Sequence, residues 1–156
     1  MGRLRFITKK IIYTEALTNY DLIVIPASIY MKPTNRTSCN IINKVNYQLL
    51  KKYIYKKYTI IKPMKIGDIR ITPGFNLNAD LMFIRIPKNN YENTKNELLE
   101  VINNMLNIIK KNEYKEILIV NINYKYYGFN KSEINQELYK LLSQFINQNE
   151  LKIDII

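Results

Sequence analysis

The sequence has no histidine, no tryptophan and only one cysteine, Cys39, among its 156 residues. Without histidine, the chain cannot form a Ser-His or Cys-His catalytic pair, and most zinc sites lose their usual ligand. A single cysteine excludes a disulfide within the chain, and without histidine its thiol lacks the ordinary route to activation as a nucleophile. The sequence therefore argues against histidine-dependent hydrolases, and we expect neither a metal nor a cofactor.

Glycine and long apolar runs are also scarce in this chain. The four glycines form no P-loop and no dinucleotide-binding motif. No apolar run approaches the length that spans a bilayer, and the opening segment MGRLRFITKK contains no apolar stretch of signal-peptide length. We therefore expect a cytoplasmic protein without a membrane partner.

The chain has a net charge of +11, and its excess positive charge is concentrated in its first part. Residues 1–67 carry 13 Lys and Arg against two acidic residues, Glu15 and Asp21, whereas residues 68–156 carry equal numbers of both signs. Such a field favours a partner that bears phosphate groups. The alternative is compositional, because Lys is abundant throughout and accumulates on any solvated surface. That alternative does not explain the asymmetry along the chain.

Strand and helix patterns alternate along the sequence, without an internal repeat or a linker. With 47% apolar residues, a chain of this length suits one domain that covers residues 1–156. Short apolar runs predict strands, and apolar residues at three- and four-residue spacing predict helices. The strands are Arg3–Ile12, Asp21–Pro26, Asp68–Thr72, Leu81–Ile86, Glu116–Ile122 and Leu151–Ile155, and the helices are Asn40–Lys57, Asn93–Lys111 and Asn130–Asn147.

This alternation predicts an α/β fold in which helices cover both faces of one sheet, giving a three-layer α/β/α sandwich. In such folds, ligands bind in the loops that follow the carboxyl ends of the strands. Two loops meet this condition, Ala27–Cys39 after the second predicted strand and Asn123–Asn130 after the fifth. We therefore expect the ligand site between these two loops.

One central segment has a recognisable pattern. Residues Gly67–Leu77 read GDIRITPGFNL, which resembles the macro domain segment Gly-(acid)-(any)-(any)-Ile-Thr-Pro-Gly-Tyr-Asn-Leu. The segment Asp21–Ser28 stands where macro domains have Asp-Ala-Ile-Val-Asn-Ala-Ala-Asn, and Tyr127-Gly128-Phe129 matches the end of their later Ile-Ser-Thr-Gly-Ile-Tyr-Gly-Phe loop. Their order and spacing cover nearly the whole chain. The resemblance implies a macro-domain-like sandwich with a mixed central sheet.

The resemblance also implies a function, since macro domains bind ADP-ribose and some members hydrolyse ADP-ribosyl bonds. Their diphosphate lies against two glycine-rich loops, because only glycine lets the backbone come that close. Here Pro33-Thr34-Asn35-Arg36 stands at the first glycine run, and Gly128 is the glycine that remains in the second loop. Ser28 replaces the asparagine that touches the distal ribose in catalytic members. We therefore expect a divergent nucleotide-binding module, non-catalytic or weakly catalytic.

Charged and aromatic side chains stand in both loops in place of glycine. A guanidinium from Arg36 and an ammonium from Lys125 could replace the missing backbone cradle with side-chain charge. Aromatic rings of the second loop offer faces for a base or a ribose. The expected ligand-binding residues are Ala27, Ser28, Asn35, Arg36, Asn123, Tyr124, Lys125, Tyr126, Tyr127, Gly128 and Phe129.

Other functions remain open at this stage. A scaffold that no longer binds ADP-ribose, a residual ADP-ribosyl hydrolase, and a structural subunit are alternatives to a reader or sequestering protein. The basic first part of the chain favours two further alternatives. One is a nucleic-acid-binding protein whose partner is RNA, and the other is a structural protein that docks on RNA or on an acidic protein. The residues expected to carry this alternative, all on one predicted helix, are Lys44, Lys51, Lys52, Lys56 and Lys57.

Overall fold

The computed structural model describes residues 2–7, 14–58, 62–87, 94–120 and 131–156. In this part of the chain, the strands are β1 Arg3–Phe6, β2 Leu22–Pro26, β3 Ile69–Thr72, β4 Asp80–Ile84, β5 Glu116–Ile119 and β6 Lys152–Ile155. The helices are α1 Thr14–Leu17, α2 Arg36–Lys44, α3 Tyr47–Tyr58, α4 Thr94–Lys111 and α5 Lys131–Asn149. None of these helices is long and apolar enough to cross a membrane.

The strands form one mixed sheet in the order β1-β6-β5-β2-β4-β3. Strand β2 pairs in parallel with β5 on one side and β4 on the other, so that Leu22 lies opposite both Ile117 and Asp80. The β3–β4 pair is antiparallel, whereas β1 and β6 continue the parallel pairing beyond β5. The mixed central sheet expected from the sequence is therefore confirmed.

The two faces of β2 pack against different helices because successive side chains of a strand point to opposite faces. Leu22 and Val24 belong to a buried cluster that includes apolar side chains of α4 and α5. Ile23 and Ile25 belong to a second buried cluster with side chains of α2 and α3. The chain is thus a three-layer α/β/α sandwich, as the alternating patterns predict.

The predicted single helix over Asn40–Lys57 is wrong, because the structure has two helices there. Helix α2 ends at Lys44, and its C-cap Val45 has an extended backbone and donates its N–H to the carbonyl of Ile42. Asn46 then caps the start of α3, since its Oδ1 accepts a hydrogen bond of 3.2 Å from the N–H of Leu49. Lys44 therefore lies on α2, and only Lys51, Lys52, Lys56 and Lys57 share α3.

Other boundaries differ less from the prediction. The first predicted loop ends early, because α2 begins at Arg36 and includes Cys39, which is exposed. Short helix α1 was not predicted. Strand β1 ends at Phe6, and residues 8–12 of the predicted strand lie outside the described residues.

The GDIRITPGFNL segment forms β3 and the turn that leads into β4. Gly67 has φ +89°, a conformation that favours glycine. At Gly74 the backbones approach so closely that a Cβ atom would lie 1.9 Å from the carbonyl oxygen of Ala79. Both glycines therefore serve the fold of this segment.

We expect Gly74→Ala to destabilise the protein, because the added methyl group must displace the backbone at Ala79. Overpacking of this kind lowers the free energy of unfolding by about 1–3 kcal/mol. Urea denaturation followed by circular dichroism measures the change. An unchanged unfolding midpoint for Gly74→Ala would contradict the close approach.

Asp154 of β6 is a buried carboxylate on the α2–α3 side of the sheet, with 1% of its surface exposed. Its partner across the β1–β6 pair is Arg5, whose Nε and Nη2 donate at 3.1 and 2.8 Å, and the hydroxyl of Tyr20 donates at 2.7 Å. Burial alone would raise the pKa of Asp154, but the hydrogen bonds from Arg5 and Tyr20 outweigh it and lower that pKa. Burial, with the bond to Asp154, also raises the pKa of Tyr20 to about 12.

Replacing Asp154 by Asn should lower the free energy of unfolding by about 1.5–3 kcal/mol at neutral pH, because charge-assisted hydrogen bonds are lost. The folded-state pKa of Asp154 is lowered, so its carboxylate contributes full stabilisation above the ordinary carboxyl pKa of about 4. This stabilisation is lost as the pH falls through the folded-state pKa. Urea unfolding between about pH 7 and pH 2 therefore should show the two proteins converging at low pH. Arg3→Gln is the control, because Arg3 lies 3.6 Å from the carboxylate and is largely exposed. A wild-type advantage that persists at the lowest pH would contradict this role.

Candidate functional site

The strand order creates one crevice at the carboxyl end of the sheet. After β2 the chain moves to β3 and then β4 on one side, whereas after β5 it moves to β6 on the other side. The connections that follow β2 and β5 therefore diverge, and such a switch point is where open α/β sheets bind ligands. The loop after β2, residues 27–35, begins at this point and is called the first loop.

Backbone hydrogen bonds hold the first loop in a tight turn. Ser28 donates its N–H to the carbonyl of Lys32 at 2.8 Å, and Met31 donates to the carbonyl of Ser28 at 3.0 Å. The hydroxyl of Ser28 accepts a further bond of 3.3 Å from the N–H of Lys32. Met31 adopts φ 60°, which only a closed turn favours at a non-glycine residue. Ala27 anchors the loop, since its N–H donates to Ile84.

The first loop leads directly into the amino end of α2. Asn35 is the N-cap, and its Oδ1 accepts a hydrogen bond of 2.8 Å from the N–H of Ser38. Arg36 is the first helical residue and is exposed, and the first turn contains no acidic residue. Helix amino ends carry partial positive charge and usually attract acidic side chains. Arg36 instead adds a second positive charge, so this end of α2 attracts anions.

Ser38 lies in the first turn of α2 and is fully buried. Its hydroxyl has no hydrogen-bond partner in the described part of the chain. Buried hydroxyl groups nearly always have a partner, because an unpaired one loses its bonds to water without replacement. Ser38 is not among the ligand-binding residues expected from the sequence, although its position three residues after Asn35 places it in the capping turn.

The carboxylates of Asp21 and Asp80 lie at the opposite end of the sheet from the crevice. Asp21 accepts hydrogen bonds from the N–H groups of Lys115 and Glu116, at 2.8 and 3.1 Å. Asp80 accepts a bond of 2.6 Å from the hydroxyl of Tyr114, and burial together with this bond raises the pKa of Tyr114. These carboxylates therefore connect strands and turns. No group of three potential metal ligands occurs among the described residues.

The structure brings together part of the predicted ligand-binding set. Ala27, Ser28, Asn35 and Arg36 lie in the first loop and at the start of α2. The predicted residues of the second loop lie outside the described residues, and they are Asn123, Tyr124, Lys125, Tyr126, Tyr127, Gly128 and Phe129.

The chain matches a family model described as Macro domain over residues 28–138. No curated protein sequence matches the chain significantly. Among solved structures, the macro domain of ganglioside induced differentiation associated protein 2 is 20% identical, with a TM-score of 0.79, and the match covers 99% of this chain and 76% of that one.

Two further solved structures of the same fold were determined with a nucleotide. The Oceanobacillus iheyensis macrodomain with ADP is 19% identical, with a TM-score of 0.74 and coverage of 88% and 76% of the two chains. The Trypanosoma brucei macrodomain in complex with ADP-ribose is 14% identical, with a TM-score of 0.72 and coverage of 98% and 63%. At these identities the similarity concerns the fold, and the ligands are those of the relatives.

We expect Ser38→Ala to stabilise the free protein, because it removes a buried hydroxyl that has no described partner. The gain should be about 1 kcal/mol, the lower end of the cost of an unsatisfied buried polar group. Urea unfolding measures the free energy of unfolding. The matched control is Thr72→Ala, which also removes a buried hydroxyl. Unlike that of Ser38, this hydroxyl has a described partner, because it donates a hydrogen bond to the carbonyl of Pro73. Destabilisation by Ser38→Ala would show that the hydroxyl is paired.

Proposed function

Because the chain belongs to the macro domain family, we propose that it is a binding module for ADP-ribose or a related nucleotide, non-catalytic or weakly catalytic. The observation that carries the proposal is the position of the first loop, at the carboxyl end of β2 and beside β5. Ligands of open α/β sheets bind at this kind of switch point. Relatives with this fold were solved with ADP and with ADP-ribose, which supports a nucleotide as the ligand.

The amino end of α2 is the part of the site that recognises the diphosphate in this proposal. The first loop contains no glycine between Pro33 and Arg36, so a backbone cradle made by glycines is absent from this stretch. Arg36 supplies a guanidinium at the helix terminus instead, and a guanidinium can donate two parallel hydrogen bonds to phosphate oxygens. The positive end of the helix and the arginine act on the same anion.

The second loop completes the site in this proposal. Lys125 adds a second cation, and Tyr124, Tyr126, Tyr127 and Phe129 offer ring faces to the base or a ribose. Gly128 is the position at which the backbone can approach the ligand closely.

Binding without turnover is supported by the chemistry of the first loop. Ser28 stands where the resemblance places an asparagine in catalytic members, and its hydroxyl already accepts a hydrogen bond from the Lys32 N–H. The carboxylates of Asp21 and Asp80 lie at the other end of the sheet and cannot act as a base in the crevice. A cytoplasmic reader or a sequestering protein needs affinity for the nucleotide but no reaction.

We expect isothermal titration calorimetry to detect binding of ADP-ribose. Arg36→Ala and Lys125→Ala should each weaken this binding about tenfold, because each removes a charge-assisted hydrogen bond worth about 1.5 kcal/mol. Lys140→Ala is the matched control, since Lys140 is exposed on α5, on the other face of the sheet. ADP and AMP in parallel titrations show which groups are recognised.

The proposal fails if neither ADP-ribose nor ADP nor AMP gives heat with the folded protein. It also fails if Arg36→Ala and Lys140→Ala change the affinity equally, because the effect would then reflect net charge alone. Incubation with an ADP-ribosylated protein tests the hydrolase alternative, and efficient release of ADP-ribose would replace the binding module by an enzyme.

A further inference from the structure

A cavity of about 330 Å³ lies on the α3 side of the first loop. Residues Ile29–Pro33 form one wall, and helix α3 forms the opposite wall. Ile42 of α2, Lys62, Arg70 of β3 and Phe83 of β4 complete the lining. The residues that we assign to the nucleotide site, Ala27, Ser28, Asn35 and Arg36, do not line this cavity. The first loop therefore separates two different concave surfaces.

The interior of the cavity is apolar and its rim is aromatic. Buried side chains of the two walls and the sheet line the interior, and they are Met31, Ile42, Leu50 and Phe83. Three tyrosines line the cavity and remain accessible to solvent, since Tyr30 is 62% exposed, Tyr47 53% and Tyr55 63%. Exposed aromatic side chains that surround one concave apolar surface are typical of a binding site.

The charged side chains that line the cavity are all cations, namely Lys32, Lys51, Lys62 and Arg70. Within the described ranges, no carboxylate lines it and none of the four cations forms an ion pair. Four cations without acidic partners around one cavity create a field that attracts a polyanion.

Arg70 is held in position before any ligand binds. Its Nη2 donates a hydrogen bond of 2.7 Å to the carbonyl of Lys62, and its guanidinium carbon lies 5.0 Å from the centre of the Tyr58 ring. The hydroxyl of Tyr58 in turn donates to the carbonyl of Ile71 at 2.8 Å. A guanidinium fixed by these contacts loses little further freedom when it binds a phosphate.

Positive charge continues along α3 beyond the cavity. Tyr47, Lys51 and Tyr55 recur every four residues and share the face that lines it. Lys52 follows Lys51, and Lys56 follows Tyr55. These two lysines form an exposed row on α3 beside the face that lines the cavity. A single nucleotide cannot reach all of these cations, whereas a chain of phosphates can.

We propose that this cavity binds single-stranded nucleic acid. A base enters the cavity and stacks on the rim tyrosines, while the adjoining phosphates contact Lys51, Lys62, Arg70 and the exposed row of α3. Aromatic faces combined with a basic track are the usual means of holding single strands. A duplex is excluded, since its bases are paired and stacked and cannot enter a concave site. The site is independent of the nucleotide crevice and does not rest on the function proposed for it.

Fluorescence anisotropy with a labelled single-stranded RNA of about 12 nucleotides tests the proposal, with a duplex of the same sequence as the comparison. The single strand should bind more tightly than the duplex. Its affinity should fall with salt along a log–log slope of about −3.5, since the five cations that contact phosphates each release about 0.7 of a counterion from a single strand.

Variants with matched exposure locate the site. The double variant Tyr47→Ala/Tyr55→Ala should weaken RNA binding by about tenfold or more, because it loses the stacking of bases on these rings. Tyr139→Ala should leave it unchanged, since Tyr139 is 55% exposed on α5. Lys51→Ala should weaken binding and reduce the salt slope, whereas Lys140→Ala should do neither. All five substituted side chains are exposed, and circular dichroism confirms that the variants are folded.

Three results would overturn the proposal. The first is equal affinity for the duplex, and the second is unchanged affinity in Tyr47→Ala/Tyr55→Ala. The third is displacement of the RNA by ADP-ribose, which would show that the cavity is no separate site. Failure of ADP-ribose to bind the protein at all would sink the nucleotide crevice and leave this proposal intact.

Discussion

Complete burial of β2 between two parallel neighbours is the constraint on which the rest of the structure depends. All five of its residues are buried, with β5 along one edge and β4 along the other. Because its two faces need apolar cover, α2 and α3 must pack on one side and α4 and α5 on the other. The carboxyl end of β2 is then the place where functional residues can emerge. The divergence of the connections after β2 and β5 sets the crevice beside it.

The first loop connects this central strand to both concave surfaces. Its own hydrogen bonds close it between Ser28 and Lys32, and the N–H of Met64 donates to the carbonyl of Ile29 at 2.7 Å. One side of the loop leads to the amino end of α2 and the crevice, and the other side forms the wall of the aromatic cavity. The same short segment therefore borders both of the sites that we propose, one for a diphosphate and one for a polymer of phosphates. The excess positive charge of residues 1–67 would favour both ligands.

Much of the fold follows from the sequence, because buried strands and amphipathic helices have strong periodicities. The strand at Leu22–Pro26 and the helices α4 and α5 lie close to their predicted positions. The break between α2 and α3 was missed because apolar spacing continues across it and no glycine or proline marks it. Asn46 is its capping signal. The cavity could not be predicted, since it forms where the first loop packs near α3, although Tyr47 and Tyr55 share a helical face in the sequence. The predicted crevice residues that are described lie at the expected strand end, and their contact with a ligand stays a prediction.

The central claim is that the first loop separates a nucleotide crevice from a nucleic-acid cavity. Amide chemical-shift mapping by NMR tests it most directly, with ADP-ribose and a single-stranded RNA added to separate samples. We expect ADP-ribose to shift resonances at Ala27, Ser28, Asn35 and Arg36 and at the start of α2, and RNA to shift those of α3. Shifts from both ligands at one common set of residues would contradict the claim.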